Sequence, residues 1–550
     1  MNPSRCPAAR TWTASLQRVA LALVLGAVSM SGMTAMAGTA SISAPAVDLT
    51  PVPARHSPST LSSDWRHGAF MQVFVRSYQD SDGDGHGDLR GLISRLDDLQ
   101  ALGITGLWLL PVMPSQDQDH GYAVKDYRAI EPAYGTLADF DELLRQAHAR
   151  GIGVIIDYVI NHSAAEHPLF IASDTTGASP WRDWYVWRDT VPEGWKIYGQ
   201  NPWYETDHGA YFAGFWNQMP DFNLRNPAVV AWHHDNLRWW LNRGVDGFRF
   251  DAVGNLVENG PDRWENQPEN DALLDGVRRV VMGYPNRYLV CESPGAPLRY
   301  ASAHTCGASF AFTQNFNVVG AAAGDDASLA DAAAYFSTAP ATMATMASNH
   351  DSFAGDRLWN QLDGDLAQIR QAAASYLLLP GTPFIYYGEE VGMANAATLT
   401  GDPKLRSPMS WTGDPLRGGF TTGEPYRALA ANVTRQNAAA QRGDPASLRG
   451  FYRDVIALRR SSPALMRGAY AQPRVDGLVF SFQRVLGERR ALVVFNHARR
   501  AANARVEGLP ANSTLTNRWP AGDGALRTDA QGAAWLQLPA QSFRVFESVP

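Results

Sequence analysis

A guanidinium and a carboxylate occur together where one short apolar run of this chain ends. The run is 247–251, and within it Arg249 and Asp251 are separated by a single residue. Side chains alternate along a β-strand, so the two would point to the same side. A guanidinium beside a carboxylate favours its ionised form, which is the form that a nucleophile needs. The same pair can also be an ion pair that only stabilises the fold, and this segment alone leaves both interpretations open.

Other apolar runs end in groups that can take part in the same chemistry. The run 288–292 ends in Glu292, whose partial removal from water would raise its pKa and suit a general acid. A later run is followed by His350 and Asp351, and an earlier one by His162. Two carboxylates on either side of one bond are the arrangement for glycoside hydrolysis with retention, in which one attacks the sugar carbon and the other protonates the leaving oxygen. A third carboxylate can stabilise the oxocarbenium-like transition state.

A glycine-rich acidic segment, residues 80–88, forms a second candidate site. It places Asp80, Asp82, Asp84 and Asp88 two or four residues apart, with glycines between them that permit tight turns. Oxygen ligands spaced in this way suit a hard cation such as Ca²⁺. A solvated acidic turn is the alternative, and the density of Asp and Gly favours the metal.

Eight short apolar runs, each followed by a helix-like segment, would position these groups. Repeated β-then-α order predicts a parallel sheet with right-handed crossovers. Eight such units predict a closed (β/α)8 barrel, in which catalytic groups lie at the carboxyl ends of the strands. Counting alone leaves an open doubly wound sheet as the alternative. The runs are 70–75, 106–110, 154–158, 247–251, 288–292, 309–312, 342–348 and 383–387.

Two regions interrupt or follow this β/α order. The connection between the third and fourth runs is about sixty residues long, which is improbable for a structureless loop, so we predict an inserted domain at 163–216. The barrel would then comprise 64–162 and 217–460. Alternating runs at 478–484, 490–496 and 535–539 predict a C-terminal antiparallel β-sandwich over 461–550.

The N-terminal residues have the composition of an export signal. Three arginines precede the apolar run 19–28, and small residues follow that end in Ala35-Met36-Ala37. This order predicts a signal peptide at 1–37, whereas the apolar run is short for the alternative, a membrane anchor. Residues 38–63 are rich in Ser, Pro, Ala and Thr and predict a flexible leader. We therefore expect a secreted or periplasmic protein.

Composition excludes several classes of partner. The 47 basic and 54 acidic residues give a net charge of −7, which argues against a nucleic-acid or anionic-membrane partner. Three cysteines are too few for an all-cysteine zinc site. Cleavage after Ala37 would remove Cys6 and leave Cys291 and Cys306. A buried free thiol is the default expectation for Cys291, and pairing with Cys306 stays open for an exported chain.

Taken together, the segments that contain His162, Asp251, Glu292 and Asp351 closely resemble the signature regions of the α-amylase family, glycoside hydrolase family 13, and the similarity extends from about residue 70 to the C-terminus. The resemblance implies a (β/α)8 barrel with a domain inserted after the third strand and a C-terminal β-domain, in agreement with the organisation above. It also implies that Asp251 is the nucleophile, Glu292 the acid/base and Asp351 the transition-state stabiliser.

The resemblance implies substrate-binding residues as well. Arg249 would hold Asp251 ionised, and His162 and His350 would bind hydroxyl groups of the sugar being cleaved. Tyr122 resembles the aromatic platform under that sugar. The segment 406–411 resembles one of α-glucosidases and trehalose synthases, in which the residue matching Arg406 and an Asp matching Asp119 close the pocket around the non-reducing end.

Three further segments relate the chain to branches of that family. Residues 218–223 resemble a motif of branches intermediate between oligo-1,6-glucosidases and neopullulanases. The acidic segment resembles the calcium loop of oligo-1,6-glucosidase relatives, where His86 would add its backbone carbonyl to the four Asp ligands and the ion would be structural. Gly254 and Asn255 depart from the family, because typical α-amylases have Lys and His there for a leaving-group contact and an interdomain calcium.

These observations predict a secreted retaining glycoside hydrolase that cleaves α-1,4-glucosidic bonds in starch-derived glucans or malto-oligosaccharides. The alternative is an exo-acting α-glucosidase, transglucosylase or isomerase of the same family, which would use the same glucosyl-enzyme intermediate. A non-catalytic binding module on the same fold is a third possibility, because fold alone does not imply activity. The presence of Asp251, Glu292 and Asp351 with their supporting residues favours an enzyme.

Overall fold

A ring of parallel strands surrounds an aromatic interior in the computed structural model, which describes residues 45–56, 58–117, 121–522 and 524–548. The predicted signal peptide, the first residues of the predicted leader and Asp119 lie outside the described residues. Before the C-terminal region, the strands are β1 (Phe70–Val73), β2 (Gly106–Leu109), β3 (Gly153–Tyr158), β4 (Trp187–Arg188), β5 (Trp203–Thr206), β6 (Gly209–Phe212), β7 (Gly247–Phe250), β8 (Tyr288–Cys291), β9 (Ala344–Thr345) and β10 (Thr382–Tyr386).

Seven of these strands form a parallel sheet that closes on itself. Their spatial order is β8–β7–β3–β2–β1–β10–β9. Two further parallel bridges, Cys291 with Ser309 and Phe310 with Ala344, connect β8 to β9 and complete the ring. The predicted (β/α)8 barrel is therefore confirmed, and the open doubly wound sheet is excluded.

The sixth position of the barrel is shorter than the sequence predicts. Of the run 309–312, only Ser309 and Phe310 make bridges. The backbone N–H of Phe312 donates to the carbonyl of Phe310 at 2.9 Å, and Thr313 adopts a φ of 74°. The chain therefore turns away from the ladder after two residues.

Aromatic side chains fill the interior where the barrel strands begin. The ring of Phe70 lies 4.8 Å from that of Phe384 and 5.1 Å from that of Tyr288. A Cβ atom on Gly106 would lie 2.4 Å from the Phe70 ring, and one on Gly153 would lie 2.4 Å from the Trp65 ring. These two glycines therefore leave the space that the rings occupy, and close packing of this kind gives the ring of strands a rigid base.

Helices cover the outside of the barrel, and their ends carry ordinary capping residues. Asn226 caps the first turn of the longest helix, and Gly244, with a φ of 116°, ends it so that the chain turns into β7. The helices are α1 (Val75–Tyr78), α2 (Leu89–Ser94), α3 (Leu96–Leu102), α4 (Leu137–Ala149), α5 (Pro168–Ser173), α6 (Pro227–Arg243), α7 (Glu269–Met282), α8 (Pro297–Tyr300), α9 (Gln314–Ala323), α10 (Asp326–Tyr335), α11 (Leu358–Gln361), α12 (Leu366–Leu378), α13 (Ala438–Gln441), α14 (Leu448–Ser461) and α15 (Pro463–Arg467).

Between β3 and β7 the chain forms a small antiparallel sheet of its own. The order of its strands is β4–β6–β5. Ile197, Trp203, Ala210 and Phe212 make a separate small core there. The predicted limits of the inserted domain, 163–216, and of the other domains stay predictions.

The C-terminal region consists of antiparallel strands, as predicted. Its strands are β11 (Ala469–Asp476), β12 (Val479–Leu486), β13 (Arg489–Asn496), β14 (Ala502–Val506), β15 (Thr514–Trp519), β16 (Ala525–Arg527), β17 (Ala534–Leu538) and β18 (Ser542–Ser548). Six of them form a sheet in the order β11–β12–β13–β18–β15–β16, and β14 pairs with β17. Apolar residues of both sheets, including Val494, Val506 and Leu538, share one core, which makes the pair a sandwich.

Cys291 and Cys306 form a disulfide, with Cα atoms 6.1 Å apart. The default expectation of a free thiol at Cys291 is therefore wrong. Cys291 lies at the end of β8 and is fully buried, and the chain from Ser302 to Gly307 turns back so that Cys306 faces it. Among the described residues, no helix combines the length and apolarity needed to cross a bilayer.

Candidate active site

One buried guanidinium holds three carboxylates at the carboxyl ends of neighbouring barrel strands. Arg249 lies on β7 and is 1% exposed. Its Nη1 atom lies 2.7 Å from Oδ1 of Asp157 and 2.6 Å from Oδ1 of Asp251, and its Nη2 atom lies 2.7 Å from Oε2 of Glu292. The structure thus brings together Arg249, Asp251 and Glu292, as the sequence predicted, and adds Asp157.

Burial decides the protonation of Asp251 and Glu292. Burial raises the pKa of Asp251 to about 6; the nearby charge of Asp157 adds to this rise, and Arg249 opposes it. Burial also raises the pKa of Glu292 to about 7; Arg249 lowers this pKa, and the charge of Asp251 raises it. Near neutral pH, Asp251 is therefore mainly ionised while Glu292 is protonated in a large fraction of molecules. A nucleophile and a general acid need this division.

Arg406 and His350 hold Asp351, the third of the predicted catalytic carboxylates. Nη2 of Arg406 lies 3.0 Å from Oδ1 of Asp351, and Nε2 of His350 lies 3.2 Å from Oδ2. Arg406 also contacts Oδ2 of Asp402 at 3.2 Å and is 1% exposed. Burial raises the pKa of Asp351 to about 6, although Arg406 lowers it. Arg406 therefore belongs to the site through Asp351, and Asp119, its expected partner in closing the pocket, lies outside the described residues.

Tyr122 and His350 form a hydrogen-bonded stack in the floor of the site. Their rings are 5.7 Å apart and nearly parallel, at 11°. The Tyr122 hydroxyl donates to Oδ2 of Asp157 at 2.9 Å and lies 2.7 Å from Nε2 of His350. The amide nitrogen of Gln72 lies 2.7 Å from Nδ1 of His350, a contact that corresponds to the neutral tautomer with its proton on Nε2. In that tautomer, Nε2 of His350 donates towards Tyr122 and Asp351.

His162 lies at the junction between the barrel and the insertion. It is 1% exposed, and its ring lies 5.3 Å from that of Phe215. The Tyr127 hydroxyl donates to the carbonyl of His162 at 2.7 Å, and His162 forms an antiparallel bridge with Asp221. These main-chain contacts fix the position of the imidazole beside the insertion.

Sequence reasoning did not assign Asp157 and Gln72 to the site. Asp157 is fully buried inside β3, where it accepts from Trp108 Nε1 at 3.2 Å as well as from Tyr122 and Arg249. Burial raises its pKa to about 6, against Arg249. A carboxylate within the apolar run 154–158 was the available signal, because a buried charge requires a partner. Gln72, in β1, gave no signal of this strength.

The acidic segment brings carboxylates together in a separate cluster. Oxygens of Asp80, Asp82 and Asp88 lie within 4.8 Å of one another. The side chain of Asp84 is 52% exposed and lies 3.6 Å from the ring of His86, and neither belongs to this cluster. Burial raises the pKa of Asp80, but hydrogen bonds from Thr421 and from the backbone N–H groups of Gly83, Gly85 and Asp82 outweigh it and lower the pKa below its ordinary value. An all-oxygen donor set of this kind fits a hard cation such as Ca²⁺.

Comparison with known proteins agrees with this geometry. The family model described as the catalytic domain of alpha amylase matches residues 72–468. "Alpha-amylase 3" of Dictyoglomus thermophilum is 32% identical over 444 residues, which cover 78% of this chain and 85% of the relative. "Trehalose synthase/amylase TreS" of Mycobacterium tuberculosis is 34% identical, over 74% of this chain and 77% of its own. The crystal structure of the α-glucosyl transfer enzyme XgtA superposes with a TM-score of 0.76 and 28% identity, over 88% of this chain and 99% of the other.

Proposed function

Because this chain belongs to the α-amylase family, glycoside hydrolase family 13, we propose that it is a secreted retaining glycoside hydrolase that cleaves α-1,4-glucosidic bonds in starch-derived glucans or malto-oligosaccharides. The observation that carries the proposal is the cluster of Asp251 and Glu292 on the guanidinium of Arg249, with Asp351 on the buried Arg406. Two carboxylates with pKa values of about 6 and about 7 are suited to attack and to proton donation.

The reaction proceeds in two steps that share these carboxylates. In the first, a carboxylate oxygen of Asp251 attacks the anomeric carbon, the glycosidic C–O bond breaks, and the proton of Glu292 passes to the leaving oxygen. In the second, the Glu292 carboxylate takes a proton from water, whose oxygen attacks the same carbon and releases Asp251. The negative charge of Asp351 stabilises the oxocarbenium-like transition state of both steps.

An exo-acting α-glucosidase, transglucosylase or isomerase is the second candidate. It would form the same glucosyl-enzyme intermediate and differ in whether water or a sugar receives the glucosyl group. Arg406 favours this candidate, because it is buried against Asp351 and Asp402 and belongs to the segment 406–411, which resembles one of α-glucosidases and trehalose synthases. Relatives named as trehalose synthase/amylase and as α-glucosyl transfer enzyme are consistent with it.

Export and calcium are further parts of the proposal. The N-terminal sequence supports export, and so does the disulfide between Cys291 and Cys306, because disulfides persist in oxidising compartments. A Ca²⁺ ion would be held by Asp80, Asp82 and Asp88, and the carbonyl of His86 would add a further oxygen. When bound, the ion would stabilise the loop, since neither step of the hydrolysis needs a metal.

A timed product profile tests the proposal. The purified protein is incubated with amylose, maltotriose, maltose, sucrose and trehalose, beside Asp251→Asn as the inactive control. Mixed malto-oligosaccharides at early times are the expected result for the amylase-type hydrolase. Glucose as the sole early product would instead assign an exo-glucosidase, and trehalose formed from maltose would assign an isomerase. If the protein acts on none of these sugars, the proposal is refuted.

A further inference from the structure

Tyr198 combines an exposed aromatic ring with a constrained backbone. The side chain is 66% exposed. Tyr198 and Gly199 form a two-residue turn between Ile197 and Gln200, which exchange backbone hydrogen bonds of 2.8 and 2.9 Å. Both turn residues have positive φ, 48° for Tyr198 and 86° for Gly199, a pattern that favours Asn, Asp or Gly at the first position. Backbone strain of this kind is typical of functional positions, so we infer a functional role for the ring of Tyr198.

The ring of Tyr198 belongs to a line of aromatic side chains that begins at the candidate site. His162 lies 5.3 Å from Phe215, and Phe215 lies 6.2 Å from Tyr198 with the two rings stacked at 27°. Tyr198 in turn meets Trp264 edge to face at 5.6 Å. Trp264 follows β7 and packs against the small core of the insertion, so the line connects the barrel with the inserted sheet.

The segment that carries Trp264 lies beside the loops that follow Asp251 and Glu292. A Cβ atom on Gly254, three residues after Asp251, would lie 3.5 Å from the side chain of Glu265, and one on Gly295, three residues after Glu292, would lie 2.9 Å from Oε1 of the same glutamate. Burial raises the pKa of the Tyr198 hydroxyl and the charges of Glu265 and Glu292 raise it further, which agrees with this placement. The line of aromatic side chains therefore lies on the Glu292 side of the site, whereas Arg406 and Asp402 lie beside Asp351.

We propose that Tyr198, with Phe215 and Trp264, forms the surface on which the leaving sugar stacks, and on which an acceptor sugar binds in the reverse direction. Glu292 protonates the leaving oxygen, so the leaving ring must lie on the side of Glu292 that faces away from the sugar being attacked. Aromatic rings offer pyranose rings a flat apolar face, and the partly exposed surface leaves room for one. The inference rests on the proposed function, because it assumes that Glu292 is the proton donor.

Two substrates with the same glucosyl group and different leaving groups test the inference. α-Glucosyl fluoride releases fluoride, which has no ring to stack, whereas maltotriose releases a sugar. Tyr198→Asn removes the ring and keeps a residue that tolerates positive φ. We expect kcat/KM for maltotriose to fall about 3- to 10-fold, mainly through KM, and kcat/KM for α-glucosyl fluoride to stay within about twofold. With α-glucosyl fluoride as donor and maltose as acceptor, the ratio of transfer to hydrolysis should also fall.

Matched variants separate stacking from other effects. Tyr198→Phe keeps the ring and should resemble the wild type, so an equal loss in both variants would overturn the stacking surface. Trp535→Ala removes a 68% exposed aromatic residue from the C-terminal sheets and should leave kcat/KM for both substrates unchanged. Equal losses of Tyr198→Asn on both substrates, or no loss on either, would also contradict the inference. A wild-type protein that cleaves neither substrate would instead refute the proposed function itself.

Discussion

The Nη1 atom of Arg249 lies 2.7 Å from Oδ1 of Asp157, a carboxylate with no exposed surface. The same guanidinium must also serve Asp251 and Glu292. Asp157 therefore competes with the proposed nucleophile and the proposed acid/base for one positive charge. The result is a cluster of three acids and one base, in which burial and mutual repulsion keep the carboxyl pKa values above their ordinary range.

Asp157→Asn should shift the acid limb of the kcat/KM profile to lower pH. Burial raises the pKa of Asp251 and the charge of Asp157 raises it further, so a neutral amide makes ionised Asp251 easier to form. At its optimum, kcat/KM should fall about 10- to 100-fold, because Arg249 and Tyr122 lose a charged hydrogen-bond acceptor. A pH profile of kcat/KM measures both effects. Asp331→Asn on the exposed face of α10 is the control, and an acid limb that does not move would contradict this account.

The wild-type profile itself should be a narrow bell. Activity requires ionised Asp251, with a pKa of about 6, and is lost as the pH falls below that value. It also requires protonated Glu292, with a pKa of about 7, and is lost as the pH rises above it. Glu292→Gln should lower kcat/KM for maltotriose about 10²- to 10⁴-fold and remove the alkaline limb when formation of the glucosyl-enzyme from α-glucosyl fluoride is followed. Equal losses on both substrates would argue against a proton-donor role.

Ca²⁺ should raise the thermal stability of the protein and leave the rate of the reaction nearly unchanged. An ion on Asp80, Asp82 and Asp88 would stabilise the folded state by about 2.7 kcal/mol at a concentration one hundred times its Kd. We expect Tm to fall on chelation and to recover with Ca²⁺, and Asp82→Asn to abolish the recovery. The initial rate at low temperature should change little. Mg²⁺ at the same concentration is the control, and a Tm that ignores both chelation and Ca²⁺ would rule out the site.

Loss of the disulfide should destabilise the barrel. Cys291 and Cys306 are 15 residues apart, and closing a loop of that size contributes about 3 kcal/mol in the chain-entropy account. Cys306→Ser should lower the free energy of unfolding by about this amount in a denaturant titration. Titration of thiols in the unfolded, unreduced wild-type protein should find none of these two cysteines free. Two reactive thiols at these positions would contradict the pairing.

Much of the fold and of the reacting centre follows from the sequence, because both depend on local patterns. Each barrel run is apolar and ends in polar residues, so Asp251, Glu292 and Asp351 could be placed at strand ends. Asp157 and Gln72 could not be assigned, since their role depends on which side chains meet them across the barrel. The pairing of Cys291 with Cys306 could only be left open beside a free thiol, for the same reason.

Tyr198 shows the limit most clearly. The Tyr-Gly pair did not indicate that a tyrosine would occupy a turn position with positive φ, or that its ring would contact those of Phe215 and Trp264. Both facts depend on how the inserted sheet lies against the loop after β7. Short-range patterns of residue type do not encode such a contact between segments that are distant in the chain.

The covalent link between Cys291 and Cys306 lies at the seam where the barrel ladder is thinnest. Cys291 precedes Glu292 and makes the bridge to Ser309, and only Ser309 and Phe310 complete the ring there. In a reducing compartment this seam is held by a few hydrogen bonds, and in an oxidising one a covalent bond is added next to Glu292, the proposed acid/base. The alignment of Glu292 is thereby linked to the redox state of these two cysteines.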